Sequence, residues 1–561
     1  MKAARACHQC RSSKRRCNRP GPGEPCRSCQ LRGISCSAEL RRQAVSTKPV
    51  RRETLLDDPP RQCQGHSRTP PCLSWAMSVE FVELYLDKIH DQAHSIFHPA
   101  TLRAQLRNGT VGRALLCAIC ALGSKFSSYS DRRSLEGRLT AEAKRLLQAD
   151  IENICIENIQ ACILVATLCA GICECTSGAL FIRIAISMAD IMNLGFPTDG
   201  TDPVSVVAQE TARRVLCSLY VADSWCSSGL GLARHMNKHG LSTSTSCDLP
   251  MDEIVFQSLQ LGQNDDQATL QVQALGTWKP GLWAHIVTLA RHSDPIQELN
   301  RQYAKGCTDI AALNETVGHM AHQLEAWSEA LPADVQMSVQ NLQAQQQRGL
   351  GGPFVSLHLM YHHYSTLLYF RFLEDQDRQK VSSSASGART NAYIARCKHH
   401  ALSFSSLLSL SRQLKGCKTN CPTIGHMVTV SSSVLVHTLL LGNDASELDG
   451  ARRALNANFE VLVDLYQIWP ATEAMINRLM TFQNVCLLST DETHRLDGWM
   501  VRFLLEHSRA LGQRELPCAP ENFNLAVGAG SEAILAEKAR EWRGLGRYVD
   551  LNLPGGSGNK Q

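Results

Sequence analysis

Six cysteines within the first 36 residues constrain the fold of this chain more than any other feature. They form two halves of equal internal spacing, C-x2-C-x6-C, separated by eight residues: Cys7, Cys10, Cys17, Cys26, Cys29 and Cys36. A C-x-x-C turn supplies two sulfur ligands to one metal ion, and zinc prefers four such ligands in a tetrahedron. Two separate four-sulfur sites would need eight cysteines, whereas six suffice for two ions if two thiolates bridge both. The spacing therefore predicts a small binuclear metal cluster.

The same segment is strongly basic. Residues 1–52 contain fourteen Lys and Arg residues but only two acidic residues, Glu24 and Glu39, whereas the whole chain has a net charge of +5. Six thiolates on two divalent ions leave a net negative charge that basic side chains can offset. A basic segment of this density is typical of a polyanion-binding region, and nucleic acid is the first candidate.

Residues 7–36 resemble the fungal binuclear zinc cluster (Zn2Cys6) transcription regulators. The resemblance implies two Zn²⁺ ions, with Cys7 and Cys26 bridging both ions, Cys10 and Cys17 completing one site, and Cys29 and Cys36 completing the other. It also implies an irregular fold with two short helices that binds double-stranded DNA at CGG half-sites.

The resemblance further places Lys14 at the position that reads guanines, whose O6 and N7 atoms are acceptors in the major groove. Arg5, Arg16 and Arg19 fall at phosphate-contacting positions, and we count Arg15 with them as a DNA-binding residue. Phosphate contacts set affinity rather than sequence preference.

The sequence predicts four segments: the zinc cluster at 1–40, a basic, proline-containing linker at 41–74, an all-helical regulatory domain at 75–550, and a disordered tail at 551–561. In the linker, no heptad register is sustained, and its prolines would break a coiled coil. A homodimer formed through this route is therefore doubtful. Basic pairs at 41–42 and 51–52, with Lys14–Arg16, form a candidate dispersed nuclear import signal.

From Trp75 onward, apolar residues recur at three- and four-residue steps. In residues 78–97 this pattern predicts a helix that Pro99 stops. Residues 111–126 and 177–196 repeat the pattern, and no alternating strands are evident. Helix breaks are predicted at the polar stretch 262–268, in the glutamine-rich stretch ending at Pro353, and at 382–390.

Residues 79–240 resemble the large regulatory domain of the same regulators. The motif "ETARRVLCSLYVADSWCSSGLGLA" places Arg213 and Arg214, Tyr220, Asp223 and Gly231 where that family has its arginines, aromatic residue, aspartate and glycine. "GFPTDG" departs from the usual sequence. The helices around residues 155–192 are expected to form a packed core, with a metabolite-binding cavity wall as the alternative.

We expect no membrane span, because the most apolar run, residues 161–173, is too short to cross a bilayer. No secretory leader is evident, so we expect a reduced intracellular protein whose other eighteen cysteines are mostly buried as small apolar residues.

The pair His90 and His94 resembles a zinc-protease motif, but the catalytic glutamate is missing, and we expect an amphipathic helix surface. An enzyme is not expected.

Two functions remain open at this stage. The first is a nuclear, sequence-specific DNA-binding regulator of RNA polymerase II genes, with the transcription machinery or co-regulators as partners and a pathway-specific gene set as target. The alternative is an interaction protein that uses the zinc cluster as a structural or protein-binding module.

Overall fold

The computed structural model describes residues 10, 17, 26–30, 73–194, 206–236, 249–259, 279–306, 310–376, 385–488, 497–508, 529–551 and 553. The chain divides into two compact units, Met1–His66 and Ser67–Gln561. The described residues of both form helices and loops, with isolated bridges but no strand. The predicted all-helical architecture is therefore confirmed.

In the first unit, the described helix is α1, Arg27–Gln30. The second unit contains the helices α2 Trp75–Lys88, α3 Pro99–Asn108, α4 Arg113–Ser124, α5 Ser130–Arg133, α6 Glu136–Ala149, α7 Ile156–Ala170, α8 Cys175–Ile191, α9 Val206–Leu230, α10 Glu253–Ser258, α11 Leu282–Ala290, α12 Ser293–Ala304, α13 Ile310–Glu329, α14 Val339–Gln347, α15 Gly351–Tyr369, α16 Ala385–Gln413, α17 Thr423–Leu441, α18 Ala445–Tyr466, α19 Thr472–Leu488, α20 Asp497–Leu505 and α21 Ala529–Gly544. A 3₁₀ helix, Phe370–Gln376, extends α15.

The helices of the second unit share one hydrophobic core. In the N-terminal part, α2, α4, α6, α7, α8 and α9 pack in succession, and in the C-terminal part α15, α16, α17, α18 and α19 do the same. Gly123 in α4 lies against the backbone carbonyl of Phe81 in α2, so a larger residue there would push the two helices apart.

Most of the apolar run 161–173 lies in α7, where the residues from Asn158 to Ala166 are all buried, as are Leu168 and Cys169. Among the described helices, α17 is long and apolar enough to cross a membrane by length and composition, and 94% of its apolar window is buried inside the unit. Such burial is typical of a core helix of a globular domain.

Pro99 was predicted to stop a helix, and this prediction is wrong. The helix α2 starts at Trp75 with Ser74 as its N-cap and already ends at Lys88. Pro99 instead opens α3, where His98 accepts a hydrogen bond from the Thr101 amide. Proline fits the first position of a helix because its missing N–H would have no partner there.

The predicted helix breaks had mixed outcomes. The glutamine-rich stretch is mostly helical, since α14 covers Val339–Gln347 and α15 begins at Gly351, which leaves only a short turn with Gly349 at φ 77°. Part of the stretch 382–390 is helical as well, because α16 starts at Ala385. Residues 262–268 and 382–384 lie outside the described residues.

The expectation for the scattered cysteines is confirmed at most described positions. Nine in the helical unit are buried: Cys117, Cys120, Cys162, Cys169, Cys217, Cys397, Cys417, Cys421 and Cys486. Cys173, in the turn between α7 and α8, is exposed and has a positive φ of 62°. Burial alone raises the pKa of the Cys162 thiol to about 12, so this thiol remains protonated at neutral pH.

Candidate metal centre

The thiols of the first unit converge as metal ligands do. The Sγ atoms of Cys10 and Cys26 lie 3.5 Å apart. With Cys17, all three Sγ atoms lie within 4.8 Å of one another. Sulfurs on one zinc ion at about 2.3 Å are separated by roughly 3.8 Å in a tetrahedron. The three described thiols therefore fit three corners of a zinc site.

Local backbone structure explains how the second C-x-x-C pair is formed. The Cys26 carbonyl oxygen accepts hydrogen bonds from the amides of Cys29 (2.9 Å) and Gln30 (3.1 Å), which closes the first turn of α1. One helical turn brings residues three positions apart onto the same face. Cys26 and Cys29 are consequently both buried, at 0% and 2% exposure.

The described part of this unit's core consists of cysteines. Among the described residues, Cys10, Cys26 and Cys29 form a buried cluster, against which Cys17 packs. These four small side chains bury little apolar surface. A metal ion held by their thiolates would supply folding free energy to this unit.

The remaining predicted site residues lie outside the described residues: the cluster cysteines Cys7 and Cys36, and the DNA-binding set Arg5, Lys14, Arg15, Arg16 and Arg19. One basic residue that the sequence analysis did not single out is Arg27, which is exposed on α1 directly after the buried Cys26. Its position next to a cysteine of the repeat could have identified it from the sequence.

In the helical unit, Arg214 of the family motif is buried and forms hydrogen bonds to three segments of the chain. It is 1% exposed. Its Nε donates to Glu210 in the same helix (2.8 Å), Nη1 donates to Ser95 Oγ (2.7 Å), and Nη2 donates to the carbonyl oxygen of Met251 (2.6 Å). Burial disfavours the charged guanidinium, but the carboxylates of Glu210 and Glu253 outweigh it, so the Arg214 pKa is raised.

Asp223, Tyr220 and Gly231 of the same motif organise the turn after α9. Gly231 adopts φ 66°, which turns the chain back toward the helix. The Asp223 carboxylate then accepts the backbone amides of His235 and Met236, both at 2.9 Å. Arg234 donates to the Tyr220 carbonyl oxygen at 2.9 Å. The motif is thus structural, and residues 195–200, where the sequence departs from the family, lie outside the described residues.

His90 and His94 do not form a helical metal-binding pair, and the expected helix surface is also wrong. Both lie in a buried turn after α2. His90 Nε2 accepts the amides of Ile96 (3.3 Å) and Phe97 (3.1 Å). His94 Nε2 hydrogen-bonds the Tyr85 hydroxyl at 2.8 Å. Both rings therefore have structural roles, His90 as an acceptor of backbone amides and His94 as the partner of a tyrosine hydroxyl.

Comparison with known families identifies both units. The fungal Zn(2)-Cys(6) binuclear cluster domain matches residues 5–44, and the fungal specific transcription factor domain matches residues 82–331. The chain belongs to the fungal Zn2Cys6 transcription factor family. The two matched domains are those of zinc-binding, DNA-binding transcription regulators. The second match extends well beyond residue 240, where the sequence resemblance ended.

Relatives of this Zn2Cys6 family member agree with that assignment. An uncharacterized transcriptional regulatory protein of Schizosaccharomyces pombe is 24% identical over 351 residues, which are 58% of this chain and 35% of the relative. The Zn(2)-C6 fungal-type transcription factor FTF1c of Fusarium oxysporum f. sp. lycopersici is 22% identical over 75% of this chain and 47% of its own length. FTF2 of the same organism is 22% identical over 74% and 40%. The chain therefore spans between a third and a half of these relatives' lengths.

Proposed function

We propose that this chain is a nuclear, sequence-specific regulator of RNA polymerase II genes that binds CGG-type sites in their promoters. The observation that carries the proposal is the convergence of Cys10, Cys17 and Cys26 within the most basic segment of the chain. A metal-organised fold presents a rigid basic surface of a size that fits the major groove. The target is a pathway-specific gene set, biosynthetic or catabolic.

The proposed centre holds two Zn²⁺ ions through the six cysteines of the repeat. Cys10, Cys17 and Cys26 supply three corners of the first tetrahedron, and Cys7 supplies the fourth. Cys29 and Cys36 complete the second tetrahedron together with the bridging thiolates of Cys7 and Cys26. Supporting this division, Cys10 and Cys17 both approach Cys26, and α1 places Cys29 on the same side as Cys26.

Basic side chains around the cluster divide into two proposed roles. Lys14 reads guanine, while Arg5, Arg16 and Arg19 contact phosphates, and Arg15 adds a further DNA contact. The exposed Arg27 on α1 contributes to the same positive surface. Guanidinium and ammonium groups near phosphates raise affinity for any DNA sequence, whereas a contact with a base edge discriminates among sequences.

The rest of the chain supports this function without contacting DNA. Residues 41–74 form the proposed linker, 75–550 the regulatory domain and 551–561 the tail. The regulatory domain is the proposed contact surface for the transcription machinery or co-regulators. The basic pairs in the linker serve nuclear import, and dimerisation is not required for binding a single half-site.

Selection from random DNA duplexes tests the proposal. Zinc-replete full-length protein is incubated with a random library at physiological salt, and bound duplexes are amplified and sequenced. Enrichment of a CGG-containing site supports the proposal. If zinc-replete protein enriches no sequence, the cluster is a structural or protein-binding module, and the chain is an interaction protein.

A further inference from the structure

Exposure to solvent distinguishes Cys17 from the other described cysteines of the repeat. Cys10, Cys26 and Cys29 are buried, at 1%, 0% and 2% exposure. Cys17 packs against their cluster but remains partly exposed. A small solute therefore reaches the Cys17 side chain from the solvent, whereas the three buried cysteines are shielded from it. Among the described cysteines of this unit, Cys17 is where a reagent first meets the centre.

Cys17 also has sulfur partners within reach. Its Sγ atom lies within 4.8 Å of the Sγ atoms of both Cys10 and Cys26. Because a disulfide needs about 2.05 Å between its sulfurs, an approach of less than roughly 3 Å would join Cys17 to either one. A change of side-chain rotamer moves a cysteine sulfur by a distance of this order. An oxidised Cys17 could thus be resolved within the same unit.

The chemistry of the proposed centre makes these sulfurs nucleophiles. A cysteine that coordinates zinc is deprotonated, and the thiolate is the form that reacts with peroxides. Susceptibility to oxidation follows from thiolate character and from exposure together. As a partly exposed ligand, Cys17 would combine both properties. The buried cysteines of the helical unit lack the second one.

In the proposed division of ligands, Cys10 and Cys26 differ as partners for an oxidised Cys17. Cys10 shares one electron pair with one ion, whereas the bridging Cys26 shares two electron pairs with two ions. Cys10 therefore keeps more electron density with which to attack a neighbouring sulfur. This difference favours Cys10 as the partner, although both sulfurs lie within the same distance limit of Cys17.

We propose that Cys17 is the peroxide-reactive residue of the zinc centre and that its oxidation ends in a disulfide between Cys10 and Cys17. The Cys17 thiolate attacks one oxygen of hydrogen peroxide, the O–O bond breaks, and a sulfenic acid and a hydroxide ion form. The Cys10 thiolate then attacks the Cys17 sulfur, and the sulfenic oxygen leaves as a second hydroxide ion. Each sulfur gives up one electron, and the two electrons reduce the peroxide.

This disulfide would remove two ligands from one proposed ion and none from the other. The second ion keeps the four thiolates assigned to it, those of Cys7, Cys26, Cys29 and Cys36. About one of the two zinc ions should therefore leave the chain. A dithiol reductant with added zinc should reverse the change, because thiolates exchange with disulfides.

The consequence for DNA binding follows from the position of the two cysteines. Lys14, Arg15 and Arg16 lie between Cys10 and Cys17 in the sequence. Loss of the metal ion held at both ends of this segment removes folding free energy from it. Oxidation should therefore weaken binding to CGG sites, so this inference describes a regulation of the proposed function and rests on its six-cysteine centre.

Zinc release and disulfide mapping on the full-length wild-type chain test the proposal. Reduced, zinc-replete protein is titrated with hydrogen peroxide, and released zinc is measured with a chromogenic chelator. Remaining thiols are alkylated before digestion. Trypsin cleaves after Arg11 and after Lys14, between the two cysteines, so the disulfide joins two peptides, and fragmentation in a mass spectrometer assigns the linked cysteines. We expect the Cys10–Cys17 disulfide to form first, together with release of about one of the two zinc ions.

Cys173→Ser is the matched control, because Cys173 is an exposed cysteine of the helical unit and is not a proposed ligand. This variant should release the same amount of zinc at the same peroxide concentration. A first disulfide other than Cys10–Cys17 within the repeat, simultaneous loss of both ions, or full retention of zinc when Cys173 is already oxidised overturns the proposal. So does zinc release that disappears in Cys173→Ser.

Measurements on the reduced chain separate failure of this inference from failure of the proposed function. Zinc content and affinity for a CGG-containing duplex are determined before peroxide is added. If the reduced chain holds two zinc ions and binds the duplex while another cysteine pair is oxidised first, only the assignment to Cys10 and Cys17 is wrong. If the reduced chain does not hold two zinc ions, the six-cysteine centre and this inference are both wrong.

Discussion

The Sγ atoms of Cys10 and Cys26 lie 3.5 Å apart although the residues are separated by 16 positions in the chain. No apolar side chain among the described residues of this unit holds them together, since the buried cluster contains cysteines only. Their proximity therefore indicates that the two thiols are ligands of one metal ion.

A peptide of residues 1–40 should bind about two zinc ions and unfold when a chelator removes them, because metal binding supplies its folding free energy. Cys26→Ala should lower zinc affinity and helicity more than Cys36→Ala, since the proposed bridging thiolate serves both ions. Zinc content by mass spectrometry and circular dichroism measure both effects. A stoichiometry of one zinc ion would contradict the bridged centre.

The helical unit should lose stability as pH falls below about 6.5. Burial lowers the pKa of His363, His437 and His94 to about 3. An unfolded histidine has a pKa of about 6.5, so unfolding takes up a proton between these values. Each ring then lowers the free energy of unfolding by up to about 1.4 kcal/mol per pH unit. Above pH 6.5 both states are deprotonated and the effect vanishes.

Urea unfolding of the full chain, followed by far-ultraviolet circular dichroism at pH 7 and pH 5, measures this effect. His437→Leu should reduce the pH dependence by about one proton. Burial raises the pKa of Asp91, but its interactions with His90 and Arg214 outweigh burial and lower it to about 2. The stability that the Asp91 carboxylate contributes is therefore lost only as the pH falls below about 4. A stability that does not change between pH 7 and pH 5 would refute the prediction.

Arg214→Met should destabilise the helical unit by about 3–5 kcal/mol, because it leaves the buried Glu210 carboxylate without its main partner. The adjacent Arg213 is the matched control. It also pairs with Glu210 but its side chain is 29% exposed, so Arg213→Met should cost about 1 kcal/mol or less. Denaturant unfolding compares the two. Equal losses in both variants would show that burial of Arg214 does not decide its contribution.

The sequence predicted the parts of this protein that repeat a local pattern. Helices such as α4 and α8 follow apolar periodicity, and the cysteine spacing predicted convergent thiols, of which Cys10, Cys17 and Cys26 are brought together. Whether each of these residues binds zinc stays a prediction.

Tertiary contacts could not be predicted in the same way. The role of Arg214 depends on Ser95 and Met251, which are distant in sequence. Proline gives an ambiguous signal, because it is compatible both with the end of one helix and with the first turn of the next. Pro99 belongs to the second class, and only the cap at His98 distinguishes the two cases.

A fragment of residues 1–75 should bind one CGG half-site as a monomer, because the linker sustains no coiled-coil register. Sedimentation of the fragment with a duplex that carries a single half-site measures the stoichiometry. A complex of two fragments per duplex at low protein concentration would reveal a dimerisation element within the linker.

Lys14→Ala should reduce sequence discrimination without affecting the zinc centre. Lys14 is not among the proposed zinc ligands, so zinc content should remain that of the wild type. Loss of the proposed guanine contact should cost roughly 1–3 kcal/mol at the preferred site and much less on random DNA. The ratio of the two affinities should therefore fall about tenfold or more.

Arg16→Ala is the matched control for Lys14→Ala, since it removes one nearby positive charge. It should weaken binding to all sequences about equally and flatten the dependence of affinity on salt, because phosphates carry no sequence information. Fluorescence anisotropy with CGG-containing and scrambled duplexes at several salt concentrations measures both ratios. If Lys14→Ala leaves the affinity ratio unchanged while binding weakens everywhere, Lys14 contacts phosphate, and the discrimination must come from another residue of the cluster.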